Sequence, residues 1–174
     1  KDLISVTNAQ WRGKVAIALP LFGSTATHFQ VLRQQWGEER WQVWCRALVA
    51  NEVMAVDGNS VVVQLVGRGE VTLGLTDSDD VRAGLKNNLP IAGQSLLDDG
   101  FAIRNSIGYI AGAPLPGLAK RLAKYLQSQP VLDALVAAGA LDSVSPVDTS
   151  EIAWPSLVAE NERAVAELKS IFLD

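Results

Sequence analysis

The sequence predicts an α/β fold built on a mostly parallel sheet, and three features predict it. Val15-Ala16-Ile17-Ala18-Leu19 is an unbroken apolar run closed by Pro20, as suits a strand buried on both faces rather than one alternating between core and water. Short apolar runs alternate with stretches of helical period. Each run is separated from the following helix by a loop rich in Gly, Ser, Thr, Asn or Asp. At 174 residues and 48% hydrophobic, the chain can bury about 70% of its unfolded surface without staples. Cys45 is the single cysteine, which excludes an internal disulfide framework and any thiolate-rich metal site. Fifteen Lys+Arg against 19 Asp+Glu give a net charge of −4, against a nucleic-acid partner, which needs a basic face to displace phosphate counterions. No apolar run reaches the roughly 18 residues of a membrane span, and no leader pattern opens the sequence.

In order, the first strand is Val15 to Leu19. Ser24 to Trp36 opens with hydroxyl residues and reads as a helix stopped by Gly37. Glu38 begins a second helix, whose Trp41, Trp44, Cys45 and Leu48 recur at i, i+3, i+4 and i+7 and form one buried stripe. Val53 to Val56 reads as a strand, Asp57-Gly58-Asn59 as a turn, and Ser60 to Gly67 as a helix presenting Val62, Leu65 and Val66. Val71 to Leu75 is the next strand, followed by a polar loop at Thr76 to Asp80 and a short helix from Asp80 to Asn87. Beyond residue 88 the texture changes. Leu89-Pro90-Ile91-Ala92 is a short extended piece, and Phe101-Ala102-Ile103 with Ile107-Gly108-Tyr109-Ile110 reads as an interrupted strand or a crossover. A helix from Pro114 or Pro116 to about Ser128 carries Leu115, Leu118, Leu122, Tyr125 and Leu126 on one face, and Pro130 opens another to Ala138. Val158, Val165, Leu168, Ile171 and Phe172 mark a C-terminal amphipathic helix.

Chemistry is expected where strands end in polar loops, because ligands of open α/β sheets bind outside the carboxyl ends of the strands. Gly23, Ser24 and Thr25 follow the first strand, and Asn59 and Ser60 follow the second. Both groups open helices whose free amide N–H groups favour an anion or an electron-rich oxygen. Ordinary helix capping accounts for the same residue types. In the third loop Asp77, Asp79 and Asp80 set three carboxylates within four positions. They complement a helix dipole, accept hydrogen bonds from ligand hydroxyls or amines, or ligate a hard cation, though without the Gly and distal Glu of an EF-hand. His28, the only histidine, reads as a surface or capping residue. No catalytic motif occurs: Gly-x-Ser-x-Gly, the Walker loop, His-Glu-x-x-His and Gly-x-Gly-x-x-Gly are all missing. The five tryptophans are assigned to packing, with Trp11 and Trp154, near loops and termini, as candidate exceptions.

Several segments together resemble a known family. Asp2-Leu3, Trp11-Arg12-Gly13-Lys14-Val15-Ala16-Ile17-Ala18, Pro20-Leu21-Phe22-Gly23-Ser24-Thr25, Asp57-Gly58-Asn59-Ser60 and the run from Gly69 to Asp80 are similar to the second half of a bacterial extracellular solute-binding protein of an ABC importer, nearest the branch of ferric-iron-binding proteins. Asn105-Ser106-Ile107, Gly112-Ala113-Pro114 and the stretch from Ala119 to Leu126 continue the likeness along essentially the whole chain.

The resemblance implies one lobe of the type 2 periplasmic binding protein fold: three layers, with a mixed, mostly parallel sheet flanked by helices. Residues 1–100 with 150–174 would form the second, C-terminal ligand-binding lobe, and 101–149 the segment that returns to a first lobe outside this sequence. It implies a substrate-binding component that captures a small polar or anionic solute without chemistry or cofactor and presents it to an ABC permease in the membrane. The location implied is periplasmic or extracellular, free or membrane-tethered. A metal ion carried with an anion is the alternative cargo, and a homodimer of the fragment is a further expected partner. By position the ligand residues are Gly23, Ser24, Thr25, Asn59, Ser60, Asp77 and Asp79. Ferric-binding members place adjacent tyrosines after the strand matching Val71 to Leu75; Thr76 to Asp80 stand there instead, and Tyr109 and Tyr125 lie elsewhere. An effector-sensing domain of a transcription regulator, with the same type of fold, is the alternative function.

Overall fold

A computed structural model describes residues 3–96, 99–145 and 148–173. The chain is mixed α/β and divides into two compact units, Lys1–Phe101 with Thr149–Asp174, and Ala102–Asp148.

In the first unit, β1 (Val15–Ala18) is the central strand. It pairs in parallel with β2 (Met54–Val56), Ala16 opposite Met54, and with β3 (Leu73–Leu75), Ala16 opposite Gly74. All four residues of β1 are buried. Because side chains alternate across a strand, Val15 and Ile17 face one side and Ala16 the other. The helices are divided accordingly. Leu3, Phe29, Leu32, Trp41, Trp44, Cys45, Leu48 and Leu168 cluster with Val15 and Ile17, and so bring together the first 3-10 turn (Leu3–Thr7), α1 (Gly23–Trp36), α2 (Glu38–Ala50) and α7 (Trp154–Phe172). Ala16 clusters instead with Val62, Leu65 and Val71, which seats α3 (Asn59–Gly67) on the opposite face. α4 (Ser78–Lys86) packs beside α3. The tryptophan stripe of α2 is buried, as its spacing predicts. Gly74 is where α3 approaches the sheet: a Cβ there would stand 2.5 Å from a methyl of Val62 and 3.1 Å from one of Val66. Among the described residues no helix is long and apolar enough to cross a membrane.

The second unit contains α5 (Pro116–Leu126) and α6 (Gln129–Ala138). α6 ends at Gly139, in the left-handed conformation, with the Gly139 and Ala140 amides donating to the Val136 and Leu135 carbonyls.

Several expectations are corrected. The sheet is parallel throughout, with no antiparallel member among the described residues. Of the two readings of 101–110, an interrupted strand or a crossover, the strand does not form. A strand needs a neighbour to satisfy its amides, and the described part of Ala102–Asp148 contains none. Phe101 instead packs into the first unit's core. Trp11 and Trp154 also pack, Trp11 against the main core and Trp154 beside Ile152 and Leu157. Two 3-10 turns, Leu3–Thr7 and Ala9–Trp11, precede β1 without having been expected.

α7 is locked onto α1 and α2 by charge as well as by apolar contact. The Arg33 guanidinium is only 7% exposed and donates to Glu160 at 2.7 Å, Glu38 at 2.7 Å and Glu167 at 3.2 Å. Arg163 closes the network, donating to Glu38 at 2.7 Å and Glu167 at 2.9 Å. Replacing Arg33 by Ala leaves three carboxylates facing one another. Because these carboxylates are partly hydrated, the expected loss is about 2–3 kcal/mol, below that of a fully buried pair. Urea unfolding of Arg33→Ala against the parent chain measures it.

Candidate functional site

The parallel sheet puts the carboxyl ends of β1, β2 and β3 along one edge, so the loops leaving them meet there. Each loop runs into a helix: α1 from Gly23, α3 from Asn59, α4 from Ser78. Three amino-terminal helix ends, with their partial positive charge and unsatisfied amides, therefore share this edge.

Side chains from all three loops are joined. The Ser24 hydroxyl donates a hydrogen bond to the Asp77 carboxylate. The Asn59 amide donates to the same carboxylate oxygen at 2.8 Å and to the Ser24 hydroxyl oxygen at 3.2 Å. Thr25 donates to the Asn59 side-chain carbonyl at 3.3 Å, and Thr76 to the Asn59 backbone carbonyl at 3.2 Å. None of these side chains caps its own helix. The capping positions are Phe22, Gly58 and Asp77, without a side-chain capping bond at any of them. Capping is therefore not what Ser24, Thr25 and Asn59 do, and Asp77, though placed to cap α4, reaches across to the other two loops.

Of the residues singled out by sequence, Ser24, Thr25, Asn59 and Asp77 form this network. Gly23 contributes backbone: its φ of 68° turns the chain from Phe22 into α1, and its carbonyl accepts from Thr27 at 3.2 Å. Ser60 and Asp79 are exposed on the first turns of α3 and α4, beside the network. Ligand atoms of Asp77, Asp79 and Asp80 lie within 4.8 Å of one another. Burial, then the charges of Asp79 and Asp77, push the Asp80 carboxyl above its ordinary range. These carboxylates could hold a hard cation, although one oxygen of Asp77 already accepts two protein hydrogen bonds.

His28 is not a surface residue. It stands one turn beyond Ser24 on α1, where its Nε2–H donates to the Asp99 carbonyl at 2.7 Å and its ring meets Phe101 edge-on. A carbonyl can only accept, so the proton sits on Nε2. Asp99 was missed by the sequence reading. Its carboxylate accepts from the Trp36 indole and from the Leu3 amide, each at 3.2 Å, and so ties the C-terminal end of α1 and the first turn of the chain to one residue. A lone Asp beside Gly100 carries no local pattern that reveals this.

A groove of about 680 Å³ is lined by residues between Ala113 and Tyr125 and shares none with these loops. The loops form an open edge. No protein-family model matches the chain, and a search of curated proteins finds no relative.

The Asn59 side chain, at the start of α3, bonds to Ser24 and Thr25 of the first loop and to Asp77 of the third, so Asn59→Ala removes the second loop's side-chain ties to both. The expected cost is about 1–3 kcal/mol in urea unfolding, from lost hydrogen bonds and an Asp77 carboxylate left short of a donor. The pH dependence follows from His28. Burial holds its pKa below the ordinary 6.5, against smaller opposing effects of the Asp99 carbonyl and the Asp77 and Asp99 charges. The unfolded chain therefore binds the proton first as pH falls, so stability is full above about 6.5 and declines from there toward the lower folded value. Unfolding midpoints between pH 7 and 5 should fall in the parent chain and flatten in His28→Gln.

Proposed function

We propose that the chain is the C-terminal ligand-binding lobe of the substrate-binding component of an ABC importer, with the type 2 periplasmic binding protein fold. The observation that carries the reading is the cross-loop network: Ser24, Asn59 and Asp77 bond to one another rather than cap their own helices. A network of this kind fixes three helix ends in register before any solute arrives, which lowers the ordering cost of binding. The sequence likeness described above supports the family, and the convergence of the three loops at one sheet edge supports a site there.

In this reading the amides at the starts of α1 and α3 hold the anionic part of a small polar solute. Ser60 offers a hydroxyl, and Asp79 accepts from solute hydroxyl or amine groups. The acidic trio of Asp77, Asp79 and Asp80 supports the alternative cargo, a metal ion taken up with its anion. No bond is made or broken. The partner that receives the solute is the permease of the importer, and the setting is periplasmic or extracellular.

The test is a nuclear magnetic resonance titration of the labelled 174-residue chain with phosphorylated and carboxylated metabolites, and with Ca²⁺ and Fe³⁺-citrate as separate probes. Binding should be weak, and its shift changes should fall on residues 23–25, 59–60 and 77–79. Asp79→Ala and Ser60→Ala, at exposed rim positions, should weaken binding about tenfold while leaving the unfolding midpoint unchanged, which a purely structural role would not do. Shift changes confined to other residues, or none with any probe, would defeat the reading.

A further inference from the structure

We propose that the open apolar face of α5 is a self-association surface, covered in solution by the same face of a second copy of this chain. Ala102–Asp148 has almost no interior: among its described residues Ala123 is the one buried apolar side chain, and α6 buries none. A body of fewer than about 60 residues is marginal even with a normal core, and the only cysteine, Cys45, lies in the other unit. What this unit displays instead is a continuous apolar surface. Ile110 is 84% exposed, Leu115 62%, Leu118 54%, Leu122 57%, and Tyr109 and Tyr125 57% and 63%. Leu115, Leu118, Leu122 and Tyr125 line the groove along α5, with Arg121 as the one charged residue at its edge.

The extent of this face points to a second copy. Its six large side chains expose on the order of 800 Å², about what each partner contributes to a standard interface and more than a monomer ordinarily leaves in water. An isologous pair requires only that the surface complement itself, and a leucine stripe does so. The charge pattern permits it: Lys120 and Lys124 fall on the side of α5 away from Leu118 and Leu122, by helical phase, so pairing does not force the two copies' lysines together. Such association is driven by apolar burial and should be insensitive to salt, whereas a charge-matched foreign partner would be lost at high ionic strength.

Sedimentation equilibrium of the 174-residue chain, from about 1 to 100 µM and at low and high salt, tests the proposal. A dimer is expected at both salt concentrations. Leu118→Glu with Leu122→Glu should raise its dissociation constant at least about 100-fold, while Lys120→Glu with Lys124→Glu on the far side should leave it unchanged. A monomer across the whole range overturns the proposal, as does a dimer that survives the leucine changes. Because the leucine variant could fail to fold, amide exchange is also measured on the unaltered chain at the two ends of the concentration range. Slowing of residues 109–125 at the higher concentration supports the proposal, and equal rates overturn it.

Discussion

Burial of β1 on both faces is the constraint from which the first unit follows. Four consecutive residues, Val15 to Ala18, are withdrawn from water, and this requires apolar cover on each side together with hydrogen-bonded strands on each edge. The cover is unequal. Val15 and Ile17 meet large aromatic side chains from α1 and α2, whereas Ala16 meets the smaller Val62, Leu65 and Val71, and α3 can come close because Gly74 offers no side chain. With both neighbouring strands parallel to β1, their following loops have no choice but to leave at the same edge. The assembly of Ser24, Asn59 and Asp77 is thus a consequence of how one strand is buried.

Electrostatics at that edge balances within a small space. Amino-terminal helix ends attract negative charge, and Asp77 supplies it while accepting from Ser24 and Asn59. Asp79 and Asp80 add more carboxylate than the adjoining helix end needs, and the upward shift at Asp80 reflects burial first and crowding by its acidic neighbours second. The edge is therefore ordered toward donors on one side and rich in acceptors on the other.

Much of the first unit was legible in the sequence because its signals are local. The β1 run, the Trp41-Trp44-Cys45-Leu48 spacing and the glycine between α1 and α2 each state their structure within a dozen residues. Boundaries moved only slightly: β3 begins at Leu73 rather than Val71, and α4 at Ser78 rather than Asp80. The residues of the cross-loop network were legible too, since polar loops after parallel strands converge by topology. Their mutual bonding was not, because hydroxyl and amide residues at a helix start read equally well as caps. Long-range ties were invisible for the same reason. Arg33 reaches Glu160 and Glu167, and Asp99 reaches Leu3, Trp36 and His28, across separations that no periodicity spans. The strand reading of 101–110, offered alongside a crossover, failed in the opposite way, for its composition suits a strand but pairing is not a property of one segment.

The way the chain leaves and re-enters the first unit bears on how such a molecule could be remodelled. Phe101, the last residue before the departure, packs on the same small cluster of Val31, Ile152 and Leu157 as Trp154, a few residues after the return. Exit and entrance are neighbours, each held by core contacts within the first unit. In chain-closure terms the two ends of the intervening stretch meet at one place, and the entropy of closing a stretch between fixed ends grows only slowly with its length. Exchange, shortening or enlargement of that stretch is therefore open to the lineage without rebuilding the sheet, the helices that flank it, or the polar edge they support.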